Sequence, residues 1–546
     1  MTRLTPDLRD RAFRWIADDP DPDTRAELQQ LVAEAMGGVA GRVEELEDRM
    51  SGPLTFGTAG LRGPVRAGPN GMNRAVVIRT TAGLAAYLVS QGHSGGIVVV
   101  GRDARHGSEA FWSDTVAVLT SAGFDVHALA HPMPTPIVAY ATRKLGAVAG
   151  VQITASHNPP QDNGYKVYVD AGAQIIPPAD KAIEAAIAAC PAAVSIPLAP
   201  DRKTIDDDVF GSYLDHVATL PRGTARALRV AATGLHGVGA GPLGLALHKA
   251  GFDDIRLVTE QSLPDPDFPT VSFPNPEEPG ATDLLLALAT ETAADIAIAL
   301  DPDADRCSVG VRDGSAWRML TGDEVGALLG EYLLSTSDAV NPLVANTIVS
   351  SSLLQTIAVS HGARYASTLT GFKWLVRAGE GLVYAYEEAL GHCVDPDVVR
   401  DKDGISAAVV LCDLAATLRA AGHTLMDALN DLALRHGLHA TRQVSLRVTD
   451  LSRIGAIMAA LRTNAPAELA GIPVSAEDLL PDANVLRYTG SGVRVLIRPS
   501  GTEPKVKAYL EVVIPVADAA ALPAARTEAN DRLTTLAGEI ATLLES

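Results

Sequence analysis

From Ser51 onward the chain alternates short apolar runs with stretches of helical length, and the residues able to do chemistry fall where the apolar runs stop. Residues 97–100 are apolar and end in Gly101-Arg102-Asp103; a helix is expected over 108–121 and a strand over 125–129. Residues 147–153 lead into Thr154-Ala-Ser-His-Asn-Pro-Pro160. A second unit repeats the plan, with strands at 228–232 and 255–259, a helix at 241–250, and a strand at 295–300 that runs into Asp301-Pro-Asp-Ala-Asp-Arg306. A third opens on Thr321-Gly-Asp-Glu, a helix start, with strands at 343–349 and 382–385, a loop over 386–404 and a helix over 405–421. Strands that alternate with helices build mostly parallel sheets, which place their sites at the C-terminal ends of the strands.

The two ends of the chain read differently. Residues 1–50 are helical in texture, rich in Ala, Leu and Glu. The last unit begins near Val444, carries strands at 493–497 and 506–513 and closes on a helix. The 546 residues suffice for three or four domains at about 150 residues each. The domains are placed at 1–205, 206–315, 316–440 and 441–546. With 45 Lys+Arg against 65 Asp+Glu, the net charge is −20. A polyanion would be repelled over most of such a surface, so nucleic acid is not an expected partner, and any phosphate must be caught by a local basic pocket. The first twenty residues mix charges with no apolar core, so no signal peptide is expected, and no run of about 18 uncharged apolar residues suggests a membrane span. The four cysteines include no C-x-x-C pair, which excludes a zinc ribbon and fits a reducing, cytoplasmic setting.

Four loops carry possible chemistry. Ser156, in T-A-S-H-N-P-P, is a hydroxyl after an apolar strand, in a loop stiffened by two prolines. It suits a nucleophile or phosphate carrier, although Ser, His and Asn alone also build turns. Asp301, Asp303 and Asp305 stand at i, i+2 and i+4, able to converge on a hard divalent cation. Asp-Pro-Asp recurs elsewhere, but only 301–305 pairs the triple spacing with flanking strands. An EF-hand reading fails, because Arg306 and Arg312 replace its Gly and Glu. Few carboxylates with room for an outside oxygen suit Mg²⁺ that also touches a phosphate. Arg498-Pro-Ser-Gly-Thr-Glu-Pro-Lys505 gathers a guanidinium, two hydroxyls, a glycine and a lysine, the groups that grip a phosphate dianion. Glu387-Glu-Ala-Leu-Gly-His392 offers carboxylates to sugar hydroxyls, or else starts a helix. Gly239-Ala-Gly-Pro-Leu-Gly244 matches a dinucleotide fingerprint, but six residues separate it from the strand, which removes the tight turn that motif requires.

The order of these loops, together with Phe56-Gly-Thr-Ala-Gly-Leu-Arg-Gly63, Asn163-Gly-Tyr-Lys166 and Thr370-Gly-Phe-Lys373, closely resembles the α-D-phosphohexomutase superfamily of phosphoglucomutases and phosphomannomutases. The N-terminal helices and the F-G-T-A-G-L-R-G form are most similar to its phosphoglucomutase/phosphopentomutase branch. The resemblance implies an α/β fold of four domains around a central cleft, three alike and a C-terminal α+β domain. It implies a phosphoserine at Ser156 and a Mg²⁺ held by Asp301, Asp303, Asp305 and the serine phosphate. Arg62, His157 and Lys166 would surround the transferring group, with Lys166 a candidate acid/base; as a base it needs a lowered pKa, which nearby cations would supply. Arg306 would stand beside the metal loop, Gly371 and Lys373 in a substrate loop, and Glu387 and Glu388 on the sugar hydroxyls. Arg498, Ser500, Gly501, Thr502 and Lys505 would bind the other phosphate. Many members carry Ser where Leu390 stands; leucine cannot donate to a sugar hydroxyl, which fits the branch that includes pentose phosphates.

The activity so implied is a mutase that moves phosphate between C1 and C6 of glucose or mannose through a sugar 1,6-bisphosphate, or between C1 and C5 of a pentose. A metal-dependent phosphatase and a non-catalytic sugar-phosphate sensor are the rival readings. The first has no use for the 498–505 grip, and the second none for three metal carboxylates beside a nucleophile.

Overall fold

A computed structural model describes residues 4–57, 60–199, 203–205, 208–448, 452–500 and 505–545. The chain divides into two compact units, Met1–Gly310 with Gly391–Asp413, and Val311–Leu390 with Leu414–Ser546.

The first unit opens on the helices Pro6–Asp18, Pro22–Met36 and Arg42–Arg49. Thr5 and Asp21 cap the first two with side-chain oxygens, and a proline fills the first helical turn, where its missing N–H is no loss. Leu8, Ile16, Leu28, Leu31 and Leu46 form their shared core. Next comes a mixed sheet in the order Leu61–Pro64, Asp162–Val169, Ala149–Ile153, Ile97–Arg102, Asp125–Leu129, Lys203–Ile205. Ile97–Arg102 pairs in parallel with both of its neighbours, and its residues are almost wholly buried, as expected of a strand covered on both faces. The expected helix over 108–121 is observed as Ser108–Ser121. Asp162–Val169 turns back antiparallel against Ala149–Ile153, which brings Lys166 opposite Gln152.

In the second sheet of this unit Ile296–Leu300 pairs in parallel with Arg229–Thr233 and antiparallel with Cys307–Asp313. The segment before the helix Ala240–Lys249 packs on the aspartate loop. A Cβ on Gly237 would lie 2.3 Å from the Pro302 backbone, so only glycine fits there. Gly239, the first glycine of that false fingerprint, also lies against the turn, where a Cβ would stand 2.7 Å from Ala304, whereas a Cβ on Gly241 or Gly244 would meet nothing within 4 Å.

In the second unit Leu343–Thr347 lies parallel between Arg364–Thr368 and Leu382–Glu387. Thr321 caps the helix Gly322–Ser335 through a complete capping box with Glu324. The C-terminal part is an antiparallel sheet, Leu438–Arg447, Lys505–Ile514, Val493–Pro499, Leu486–Gly490, Ile472–Asp478, Glu468–Leu469. The helix Leu522–Glu545 buries Leu533, Leu536 and Ile540 against it. Residue 440 falls inside its first strand, which pairs continuously with Lys505–Ile514. Among the described residues no single helix is long and apolar enough to cross a membrane.

Candidate active site

Ser156 follows the strand Ala149–Ile153 and takes a left-handed conformation, φ 55°. That backbone is unfavourable for a residue with a side chain and persists only where surroundings impose it. Arg105 imposes it. Its buried guanidinium donates to four carbonyls of the loop, Ser156 and Asn158 at 2.6 Å, Pro159 at 2.8 Å and Asp162 at 3.1 Å. Asp103 accepts from the Arg105 amide at 3.0 Å and from Ser108 Oγ at 2.6 Å, and the Phe268 ring lies 5.0 Å from the guanidinium carbon. The Ser156 amide donates to Thr154 Oγ1 at 2.9 Å.

So held, Ser156 Oγ donates to Asp301 Oδ2 at 2.7 Å and lies 3.2 Å from His157 Nδ1. Asp301, Asp303 and Asp305 are fully buried, and one oxygen from each lies within 4.8 Å of the others. The turn is tight: Ala304, at φ 56°, donates its amide to the Asp301 carbonyl at 2.8 Å. Thr135 Oγ1 donates to Asp303 Oδ2 at 2.5 Å. Lys166 Nζ bridges Asp303 Oδ2 and Asp305 Oδ2, 2.7 Å from each. Lys402 Nζ is 3.4 Å from Asp305 and 3.5 Å from Asp401, itself accepting from Tyr168 and Gln174.

Charge in this buried cluster is unevenly shared. Burial, then the Asp303 and Asp305 charges, push Asp301 well above the usual carboxylate range. Burial also disfavours the ionised forms of Asp303 and Asp305, but Lys166, joined at Asp305 by Lys402 and Arg306, overrides it and holds both low. Lys166 is correspondingly raised: burial works against its charge, and the two carboxylates outweigh burial. The sequence reading asked for a lowered lysine, on the strength of nearby cations; the carboxylates at 2.7 Å are the nearer and stronger influence. Burial, then Arg306 and Arg62, push His157 well below its ordinary value.

Asp303 Oδ1 and Asp305 Oδ1 are buried with no hydrogen-bond partner. A buried carboxylate oxygen without a donor is costly, and two of them in one triad of hard oxygen ligands fit a divalent cation. Arg62 lies across the same site, its Nη1 donating to Asn158 Oδ1 at 3.1 Å. Arg306 places its amide 3.0 Å from Asp301 Oδ1, with its guanidinium 3.9 Å from Asp305 and from Glu277.

The structure therefore brings together Ser156, His157, Lys166, Arg62, Arg306 and the three aspartates. It adds Arg105, Thr135, Asp401 and Lys402, which sequence reading passed over. The signals available were Gly101-Arg-Asp-Ala-Arg105 at a strand end and Asp401-Lys-Asp-Gly404 before a helix. Gly404 lies so close to the aspartate loop that a Cβ there would stand 2.4 Å from the Arg306 carbonyl.

The remaining candidates lie in the second unit. Gly371, at φ 114°, precedes the short helix Phe372–Leu375 that holds Lys373. Glu387 ends the strand Leu382–Glu387, and Glu388 follows in a turn, so no helix starts there. Thr347 Oγ1 and Ser350 Oγ each donate to Glu388 Oε2 at 3.0 Å. Leu390 has φ 64° and is 2% exposed, so its side chain belongs to the core and is no missing donor to a ligand. Arg498 stands opposite Lys507 at the end of its strand, and the Ser500 amide donates to the Lys505 carbonyl at 2.8 Å. Gly501 and Thr502 lie outside the described residues.

The chain matches the phosphoglucomutase/phosphomannomutase family in four successive segments: alpha/beta/alpha domain I over residues 53–192, domain II over 211–314, domain III over 321–435 and the C-terminal domain over 444–529. The "Probable phosphomannomutase" of Haemophilus influenzae is 43% identical, covering 81% of this chain and 93% of that protein. The mouse phosphopentomutase is 34% identical, covering 93% of this chain and 90% of that protein. Among solved structures, a phosphoglucomutase/phosphomannomutase family protein from Burkholderia thailandensis shares the fold with a TM-score of 0.67 at 22% identity, covering 88% of this chain and 96% of that one.

Proposed function

The chain belongs to the phosphoglucomutase/phosphomannomutase family, and we propose that it is a phosphosugar mutase that interconverts the 1-phosphate and 6-phosphate of glucose or mannose through a phosphorylated Ser156. The observation that carries this reading is the Ser156 hydroxyl, 2.7 Å from Asp301 in a buried triad with two undonated oxygens.

Phospho-Ser156 gives its phosphoryl group to a free sugar hydroxyl. The serine O–P bond breaks, a P–O bond forms to the sugar, and the hydroxyl proton passes to the enzyme. The bisphosphate turns and returns its other phosphoryl group to Ser156, so the net change is an isomerisation. Sugar 1,6-bisphosphate is the activator that first loads the serine. Asp301, Asp303, Asp305 and the serine phosphate would hold Mg²⁺, which supplies Lewis-acid charge neutralisation for the transferring group.

Phosphoryl transfer asks mainly for alignment and charge. Arg105 supplies alignment by holding the serine backbone. Arg62 and Arg306 supply charge, and Lys166, whose Nζ lies 2.7 Å from Asp303 and Asp305, adds a further cation and is the candidate acid/base. His157, with Nδ1 at 3.2 Å from the reacting oxygen, is within reach of the proton that moves. Gly371, Lys373, Glu387 and Glu388 orient the sugar, and Arg498, Ser500, Gly501, Thr502 and Lys505 bind the phosphate that is not transferred. The ligand is a small phosphosugar, without nucleic acid or membrane, and the compartment is the cytoplasm.

A pentose 1-/5-phosphate substrate is the second reading. It is favoured by the phosphopentomutase relative, which matches 93% of this chain against 81% for the phosphomannomutase. The test is a parallel mutase assay on glucose-, mannose- and ribose-1-phosphate with Mg²⁺ and a trace of the bisphosphate. Highest kcat/KM on a hexose supports the first reading and on ribose the second. Release of inorganic phosphate without isomerisation overturns both.

A further inference from the structure

The loop Ile-Val-Ser-Ser-Ser352 follows the strand Leu343–Thr347, and Thr347 at the strand end and Ser350 and Ser351 in the loop are buried. Its donors are spent on three carboxylates from three other elements. The Ser351 amide donates to Asp323 Oδ1 at 2.7 Å, at the start of the helix Gly322–Ser335. Ser351 Oγ and the Ser352 amide donate to Glu511 Oε1 at 2.7 and 2.8 Å, in the strand Lys505–Ile514 of the C-terminal domain. Thr347 Oγ1 and Ser350 Oγ both donate to Glu388 Oε2 at 3.0 Å, and the Glu388 amide donates back to Ser350 Oγ at 3.2 Å. Glu388 Oε1 has no hydrogen-bond partner among the described residues. One oxygen of Glu388 is thus fixed by protein, and the other is left for a ligand.

The carbonyls of the same loop face one cation. Arg494, in the strand Val493–Pro499, donates to the Ile348 carbonyl at 3.1 Å and to the Ser350 carbonyl, and its Nε donates to Glu511 Oε2 at 2.8 Å. Glu511 is a lasting counter-ion. Burial opposes its ionisation, but the His439 hydrogen bond, the Arg494 charge and the Ser351 hydroxyl bring its pKa down to about 2. Val349 packs beside Val485, Leu496 and Tyr509, so the contact is apolar as well as ionic.

We propose that Thr347 and Ser350 are positioning residues that set Glu388 as acceptor for a sugar hydroxyl, and that Arg494, gripping the backbone of their loop from the C-terminal domain, makes the pose of Glu388 depend on the docking of that domain. This rests on the reading of Glu388 as a sugar-binding carboxylate. Docking of the C-terminal domain and grip on the sugar are then one event, felt through two carbonyls and two hydroxyls.

The test is a double-mutant cycle on steady-state mutase kinetics with sugar 1-phosphate, using Glu388→Ala, Ser350→Ala, Arg494→Met and the two doubles with Glu388→Ala. Each single variant should raise KM about tenfold with kcat changed far less, the size of a lost charge-assisted hydrogen bond. In the Glu388→Ala background, Ser350→Ala and Arg494→Met should add nothing further. Thr347→Val, which keeps shape and removes one hydroxyl, gives the same KM-against-kcat split if Ser350→Ala does not fold. An unchanged KM in Glu388→Ala sinks the sugar-binding reading itself. A raised KM in Glu388→Ala, with Ser350→Ala and Arg494→Met either silent or fully additive to it, leaves that reading intact and overturns the positioning role.

Discussion

Ser156 donates its hydroxyl hydrogen to Asp301 at 2.7 Å across 145 positions of sequence. The two residues follow different strands of different sheets, Ala149–Ile153 and Ile296–Leu300. Thr135 strengthens the same junction by donating its amide to the Asp303 carbonyl at 2.9 Å and its hydroxyl to the Asp303 carboxylate. A serine hydroxyl beside one sheet and an aspartate triad beside another thus share one buried site.

Arg105→Met should lower kcat about a hundredfold, the scale of a displacement of about 1 Å in a reacting group. The four carbonyls it holds would lose their donor, and Ser156 its reason to stay left-handed. Single-turnover phosphorylation by the bisphosphate checks this. A wild-type rate in a folded variant would show that the loop holds itself.

Lys166→Met should destabilise the metal-free protein by about 3–5 kcal/mol, the usual cost of stripping the partner from buried charges. Mg²⁺ should restore more of the thermal midpoint in the variant than in the parent, because cation and ammonium answer the same two carboxylates. Melting curves with Mg²⁺ and with a chelator decide it; an equal gain in both proteins contradicts the shared role.

The strand-end loops are legible in sequence because carboxylates, hydroxyls and prolines cluster there after apolar runs, as at Asp301–Asp305 and Ser156. Helix limits such as Ser108–Ser121 follow from periodicity and flanking glycines. Arg105 is illegible because its partners are backbone carbonyls, which leave no residue-type signature. The raised Lys166 is illegible because the strand that carries it and the aspartate turn meet only in the folded chain. Leu390 misleads because residue type alone does not reveal that the side chain points into the core.

Asp323 gives the protein a pH signature. Burial, reinforced by the Glu388 and Glu511 charges against the Ser351 amide, pushes its carboxyl up from 3.8 to about 7. A folded pKa above the unfolded one means that its stabilising effect is complete below pH 3.8 and is lost as pH rises to about 7. Over that window Asp323→Asn should flatten the fall in stability, by on the order of 2–4 kcal/mol. Thermal midpoints of both proteins between pH 4 and pH 8 check it; parallel curves would contradict it.

The most direct measurement is peptide mapping by mass spectrometry after brief incubation with glucose 1,6-bisphosphate and Mg²⁺, followed by a chase with the sugar monophosphate, the substrate of the phosphorylated enzyme. One phosphoryl group should appear on Ser156 and leave at the rate of turnover, and Ser156→Ala should take up none and lose activity while melting like the parent. A phosphoryl group on another residue, or turnover that continues in Ser156→Ala, would contradict the assignment of Ser156 as the carrier.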